Sequence, residues 1–178
     1  MRLLGLLVLP LVPLTACGAD FATVEPKNPE RAADGLVVTR ADGSSYELEN
    51  AVASCYAAEQ KPDLEVLRLT APAAVTRGDR SRGTFLVEVV PGTTGTYRLP
   101  LEERDYAAGP SDVTLFLLDP RRENELDGSL DESDGQITIR EATCDPEPAM
   151  SVTVDATLAS EVGLPALHVE GGMASSPK

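Results

Sequence analysis

Gln136-Ile137-Thr138-Ile139-Arg140-Glu141-Ala142-Thr143-Cys144 and, beyond Pro146 and Pro148, Met150-Ser151-Val152-Thr153-Val154-Asp155-Ala156-Thr157-Leu158 decide the fold class. Ile137 and Ile139 alternate with Thr138 and Arg140, and the second stretch repeats the pattern. Side chains on a strand point alternately to opposite faces, so this period predicts two half-buried β-strands. Asp134-Gly135 opens the first, and the prolines separate the two, so they are expected to pair as a hairpin with Cys144 near its corner.

Working outward, the same punctuation recurs. Thr84-Phe85-Leu86-Val87-Glu88-Val89-Val90 carries apolar residues on both faces, as in a sandwich or barrel core. Pro91-Gly92 turns the chain into Gly95-Thr96-Tyr97-Arg98-Leu99, and Asp112 to Leu118 reads as a further strand. Upstream, Gly35 to Arg40 and Ser45 to Glu49 flank the turn signal Asp42-Gly43 and are expected to form a hairpin. Ala51 to Tyr56 reads as a strand, although its alanines also allow a short helix. Asp63 to Leu69 alternates with a change of phase between Val66 and Leu67, which suggests a bulge. Leu167 to Glu170 is the last strand candidate, and residues 119 to 134 read as a charged, turn-rich connection. About eight or nine short strands without a long helix predict an all-β fold, an antiparallel β-sandwich or barrel. Gly95 to Leu99, Asp134 to Ile139 and Val154 to Leu158 together resemble a pattern seen in small uncharacterised secreted bacterial β-domains, a resemblance that implies no activity.

The N-terminus has a different character. Arg2 precedes an apolar run from Leu3 to Leu14, broken by Pro10 and Pro13. A short positive start and a short apolar stretch make the pattern of a secretory signal peptide. The run is shorter than the roughly 20 residues a spanning helix requires. It ends in Leu14-Thr15-Ala16-Cys17, which resembles the bacterial lipobox. In that family the cysteine thiol is diacylglycerylated, the chain is cut before it, and the new amino group is often acylated. The resemblance implies residues 1–16 as a lipoprotein signal peptide and Cys17 as a lipidated, membrane-anchoring first residue of the mature chain. The alternative is an ordinary signal peptide with a cysteine near its end. Gly18 rather than Asp follows, which by the same resemblance favours the outer membrane in a Gram-negative envelope. Residues 17–34, with Pro26 and Pro29, read as the lipidated terminus and a flexible tether; 35–170 as the β-domain; and 171–178 as a disordered tail.

Composition narrows the function. The formal charge is −14. Affinity for nucleic acid rests on Lys and Arg, so nucleic-acid binding is excluded as a partner class. With Cys17 assigned to lipid, Cys55 and Cys144 remain, and a pair in an exported protein reads as a disulfide, with two separate buried thiols as the alternative. Such a bridge closes about 90 residues and stabilises by roughly 4 kcal/mol in the chain-entropy account.

Little else carries chemistry. His168 is the single histidine, it lies in an alternating segment, and it reads as a sheet-surface residue. There is no Gly-x-Ser-x-Gly elbow. Acidic residues between 119 and 134 supply the hard oxygens calcium prefers, with Asp127, Asp131 and Asp134 as candidates, but their spacing does not fit an EF-hand and a solvated charged loop is the competing reading. Arg77-Gly78-Asp79, with Arg80 and Arg82, forms a locally basic loop that reads as a surface turn and alternatively as a dock for an acidic partner. No cofactor and no catalytic residue is expected. The leading expectation is a lipid-anchored, non-catalytic structural or interaction domain of the cell envelope, with a possible envelope protein or polymer as partner. A small-ligand or envelope-polymer binding protein is the alternative, and a carboxylate-dependent hydrolase comes third.

Overall fold

A computed structural model describes residues 35–58, 61–73, 83–101, 113–121 and 124–175. Among them there is no helix, and eleven strands account for the regular structure. They are β1 (Gly35–Thr39), β2 (Ser45–Leu48), β3 (Val52–Ala58), β4 (Lys61–Pro72), β5 (Thr84–Val89), β6 (Gly95–Arg98), β7 (Thr114–Asp119), β8 (Asn124–Asp127), β9 (Asp134–Thr143), β10 (Ala149–Ser160) and β11 (Leu167–Ala174). All pairings are antiparallel.

The strands run in the order β2-β1-β11-β10-β8-β7-β5-β4-β3, with β9 added on β10 and β6 on β9. β10 is the strand on which the sheet curls. Along its length it pairs with β9 and β11, and at its end Ala159 and Ser160 pair with Asp127 and Leu126 of β8. At the far end of the path, Leu48 of β2 bridges to Ala73 and the Glu49 amide donates to the Pro72 carbonyl at 3.3 Å. The result is a curled, half-barrel sheet whose two arms face each other across one core, as the all-β sandwich or barrel reading expects.

Period-2 alternation builds that core. Leu115 and Leu117 of β7, Phe85, Val87 and Val89 of β5, and Leu67 and Leu69 of β4 line one arm, all fully buried. Leu36 and Val38 of β1, Ile137 and Ile139 of β9, and Val152, Val154 and Leu158 of β10 line the other. The hairpin β9–β10 pairs Ile137 with Val154 and Ile139 with Val152. The hairpin β1–β2 turns at Asp42-Gly43, where Gly43 has φ 80°.

Three expectations are corrected. The strands number eleven rather than eight or nine, and the one without a counterpart among the candidate segments is β8, which lies inside the charged stretch read as a connection. Its single core residue is Leu126, too little for an alternation to show. The chain from 171 is not tail as far as Ala174. β11 continues through Gly171 and Gly172, which pair with Leu36 and Gly35 on one side and with Val154 and Thr153 on the other. Gly171 has φ 123°, and a Cβ there would lie 2.6 Å from the Gly35 carbonyl oxygen. The glycines that looked like a stop thus serve a close ladder. The bulge expected between Val66 and Leu67 is absent; the register is continuous from Val52 against Thr70 to Ala57 against Glu65 and shifts only at Ala58. Val66 is instead fully buried on the outer face, apart from the main core. The strand expected over Ala51 to Tyr56 is present, as β3 from Val52 to Ala58.

Candidate functional site

Most of the buried charge sits in two networks, and both arise where a strand pattern is broken by a charged residue. Arg40 follows β1 and Asp119 ends β7, so the antiparallel path brings together residues 79 positions apart. Their side chains are 7% and 1% exposed. Arg40 Nη2 donates to Asp119 Oδ1 at 2.6 Å, and Nε donates to both carboxylate oxygens at 3.2 and 3.3 Å. The Arg40 guanidinium also lies over the Tyr46 ring, 4.5 Å from its centroid. Outside this pair, Asp42 accepts from the Ser44 hydroxyl and amide at 2.6 and 2.9 Å, and Arg121 reaches Asp42 at 3.4 Å. These contacts, the Ser44 hydroxyl first, hold the Asp42 carboxyl below its usual range.

The second network crosses three strands on the outer face of β3, β4 and β5. Register places Arg68 opposite Glu88, and Tyr56 one step along beside Val66. Glu88 is buried. It accepts from the Tyr56 hydroxyl and from Arg68 Nε, the latter at 2.6 Å, while Arg68 Nη2 donates to the Tyr56 oxygen at 3.1 Å. The guanidinium also sits 4.7 Å from the Tyr56 ring centroid. Burial, then the hydrogen bond to Glu88 and its charge, push the Tyr56 phenol up to about 12, so it stays a proton donor at neutral pH. Chemically this is a closed circuit: the carboxylate is matched by a guanidinium and solvated by a phenol. Beside it, Leu86 and Phe116 are half-buried on the same face, and Val52 is 43% exposed.

The residues singled out from sequence fall as follows. Cys55 on β3 and Cys144, just past β9, form a disulfide with Cα atoms 6.0 Å apart. The bridge ties the edge strand β3 to the corner of the β9–β10 hairpin. Asp127, Asp131 and Asp134 are not gathered round a common point. Asp127 Oδ1 accepts from the Ser129 amide at 2.8 Å, and Asp131 and Asp134 are exposed. The loop between them is pinned by buried Ser133, whose hydroxyl donates to the Asp127 carbonyl and accepts from the Ala159 amide at 2.8 and 2.9 Å. His168 lies on the sheet surface, its Nε2 3.8 Å from carboxylate oxygens of Asp155 and Glu170. Among the described residues, one group of three close-set ligand atoms occurs: Cys55, Cys144 and Glu65. Cys17 and the Arg77-Gly78-Asp79 loop, with Arg80 and Arg82, lie outside the described residues.

Sequence reasoning missed Arg40, Asp119, Tyr56, Arg68 and Glu88. One signal was present: Glu88 interrupts an apolar run on a strand buried on both faces, and a charge there requires a partner. Together these features define an acidic antiparallel β-domain closed by one disulfide and two arginine–carboxylate networks. The chain matches no known protein family, no curated protein and no solved structure.

Proposed function

We propose that the protein is a lipid-anchored lipoprotein of the bacterial cell envelope, whose β-domain is a non-catalytic structural or interaction module. The observation that carries this reading is the lipobox Leu14-Thr15-Ala16-Cys17 at the end of a short apolar run. The Cys55–Cys144 disulfide supports it, because such bridges persist in oxidising compartments outside the cytoplasm. Lipid on Cys17 supplies the attachment: each buried CH₂ contributes about 0.8 kcal/mol, and two or more chains make it stable. The non-catalytic reading is supported by the use made of the two buried carboxylates, Asp119 and Glu88, each held by an arginine within the fold. The interaction reading is supported by Leu86, Phe116 and Val52, which place apolar surface on the outer face beside the Tyr56–Arg68–Glu88 circuit.

Fractionation tests the reading. The full chain expressed in a bacterial host is expected in the membrane fraction, resistant to salt washing and released by detergent. Cys17→Ala is expected to leave that fraction. Retention of Cys17→Ala with membranes to the wild-type extent would overturn the proposal.

A further inference from the structure

We infer that Cys55, Cys144 and Glu65 form a second staple for the same seam: with the disulfide opened, they are a three-ligand site for a thiophilic divalent cation, Zn²⁺ above all. Both Sγ atoms and a Glu65 carboxylate oxygen lie within 4.8 Å of one another. The β3–β4 ladder fixes two of the three. It pairs Cys55 with Leu67 and Ala57 with Glu65, so Cys55 and Glu65 share one face by period. That face is the core-facing one, shared by Leu67 and Leu69, and Glu65 brings a carboxylate to its exposed end. Cys144 arrives from the β9–β10 corner, its Cα held 6.0 Å from that of Cys55.

The spacing suits one tetrahedral cation. Zn–S bonds of about 2.3 Å and Zn–O bonds of about 2.0–2.2 Å put ligand atoms roughly 3.3–3.8 Å apart. With the S–S bond gone the two sulfurs are free to move apart toward that separation, and the carboxylate oxygen already lies within 4.8 Å of them. Two thiolates with one carboxylate select zinc over calcium or magnesium, which prefer all-oxygen sets. Water fills the fourth position. The exchange balances: a dithiol reductant transfers two electrons and two protons to the bridge, becoming a disulfide itself, and leaves two thiols on the protein. Zinc then binds as both thiol protons pass to solvent. In the reverse direction a disulfide oxidant accepts two electrons from the two thiolates and two protons from solvent, leaves as a dithiol, and so re-forms the bridge and releases the ion. Covalent bond and metal are therefore mutually exclusive closures of the same seam, and either one holds β3 against the β9–β10 corner.

The test uses the full chain carrying Cys17→Ser, so that only the two thiols in question remain, reduced with a phosphine and titrated with Co²⁺ and then Zn²⁺. The reduced protein is expected to show thiolate-to-cobalt charge transfer and the visible bands of tetrahedral cobalt, bleached by one equivalent of zinc. The oxidised protein is expected to show neither. Glu65→Gln is expected to weaken zinc binding about tenfold or more while leaving the melting temperature of the oxidised form unchanged. Far-UV circular dichroism follows the fold in parallel. If the reduced apoprotein unfolds, zinc is expected to restore β structure. Absence of charge transfer in the reduced chain, failure of zinc to restore a lost fold, or equal zinc affinity of Glu65→Gln would each overturn the inference.

Discussion

Asp119→Ala should be among the most damaging single substitutions in the domain. The carboxylate is 1% exposed and the guanidinium it holds is 7% exposed, so solvent cannot take over as partner when the carboxylate is removed. Removing one member of a buried ion pair costs about 3–5 kcal/mol, because the other charge is left without compensation. Arg40 keeps its stacking on Tyr46 and a 3.4 Å contact from Nη1 to the Ser44 hydroxyl, which places the loss toward the lower end, about 3 kcal/mol. For a domain of this size that is a fall of roughly 10 °C in melting temperature. The double variant Arg40→Met/Asp119→Leu removes both charges, and an apolar pair of similar volume is expected to lie within about 1 kcal/mol of wild type or above it. The chain has no Trp, so urea unfolding is followed by far-UV circular dichroism, with the m-value checked for constancy. A loss below about 1 kcal/mol for Asp119→Ala would refute the claim that this pair is a desolvated clasp between the β1 and β7 ends.

The other stability and titration predictions follow from the same structure. Reducing the Cys55–Cys144 bridge, or making Cys55→Ser/Cys144→Ser, should lower stability by about 4 kcal/mol through the roughly 90-residue loop it closes; an unchanged unfolding midpoint would contradict the assigned role. Tyr56, whose folded-state value is raised to about 12 from 10.0, contributes stability that is fully present below pH 10 and lost as pH rises toward 12. Phenolate absorbance should therefore show a component ionising near 12 that Tyr56→Phe removes. A high-pH phenolate component that Tyr56→Phe leaves unchanged would contradict the Glu88 network.

Local signals accounted for most of the strands. Asp42-Gly43 and Pro91-Gly92 mark real turns, Asp134-Gly135 opens β9, and the alternations at Ile137–Ile139 and Leu115–Leu117 mark real core faces. What local pattern does not contain is the path of the sheet. The switch of β10 from β11 and β9 to β8 depends on two residues, Ala159 and Ser160, that read like any other strand end. β8 escaped for a related reason: four residues with one buried leucine do not make a period. The charged networks were illegible because their partners meet through topology. Arg40 and Asp119 lie 79 positions apart, and Arg68 and Glu88 lie 20 apart. The disulfide was legible by counting, since setting Cys17 aside leaves one pairing. Glu65 beside it was not, because an acidic residue in an acidic chain carries no mark until the ladder shows which face it shares.

The central claim is that Cys17 carries the lipid that fixes this domain to the envelope. Mass spectrometry of the full-length gene product purified from bacterial membranes tests it directly. The account predicts a mature chain beginning at Cys17, with a diacylglyceryl group on its sulfur and fatty acid released by ester hydrolysis. A mature chain beginning elsewhere, or an N-terminal peptide in which Cys17 is unmodified, would contradict it.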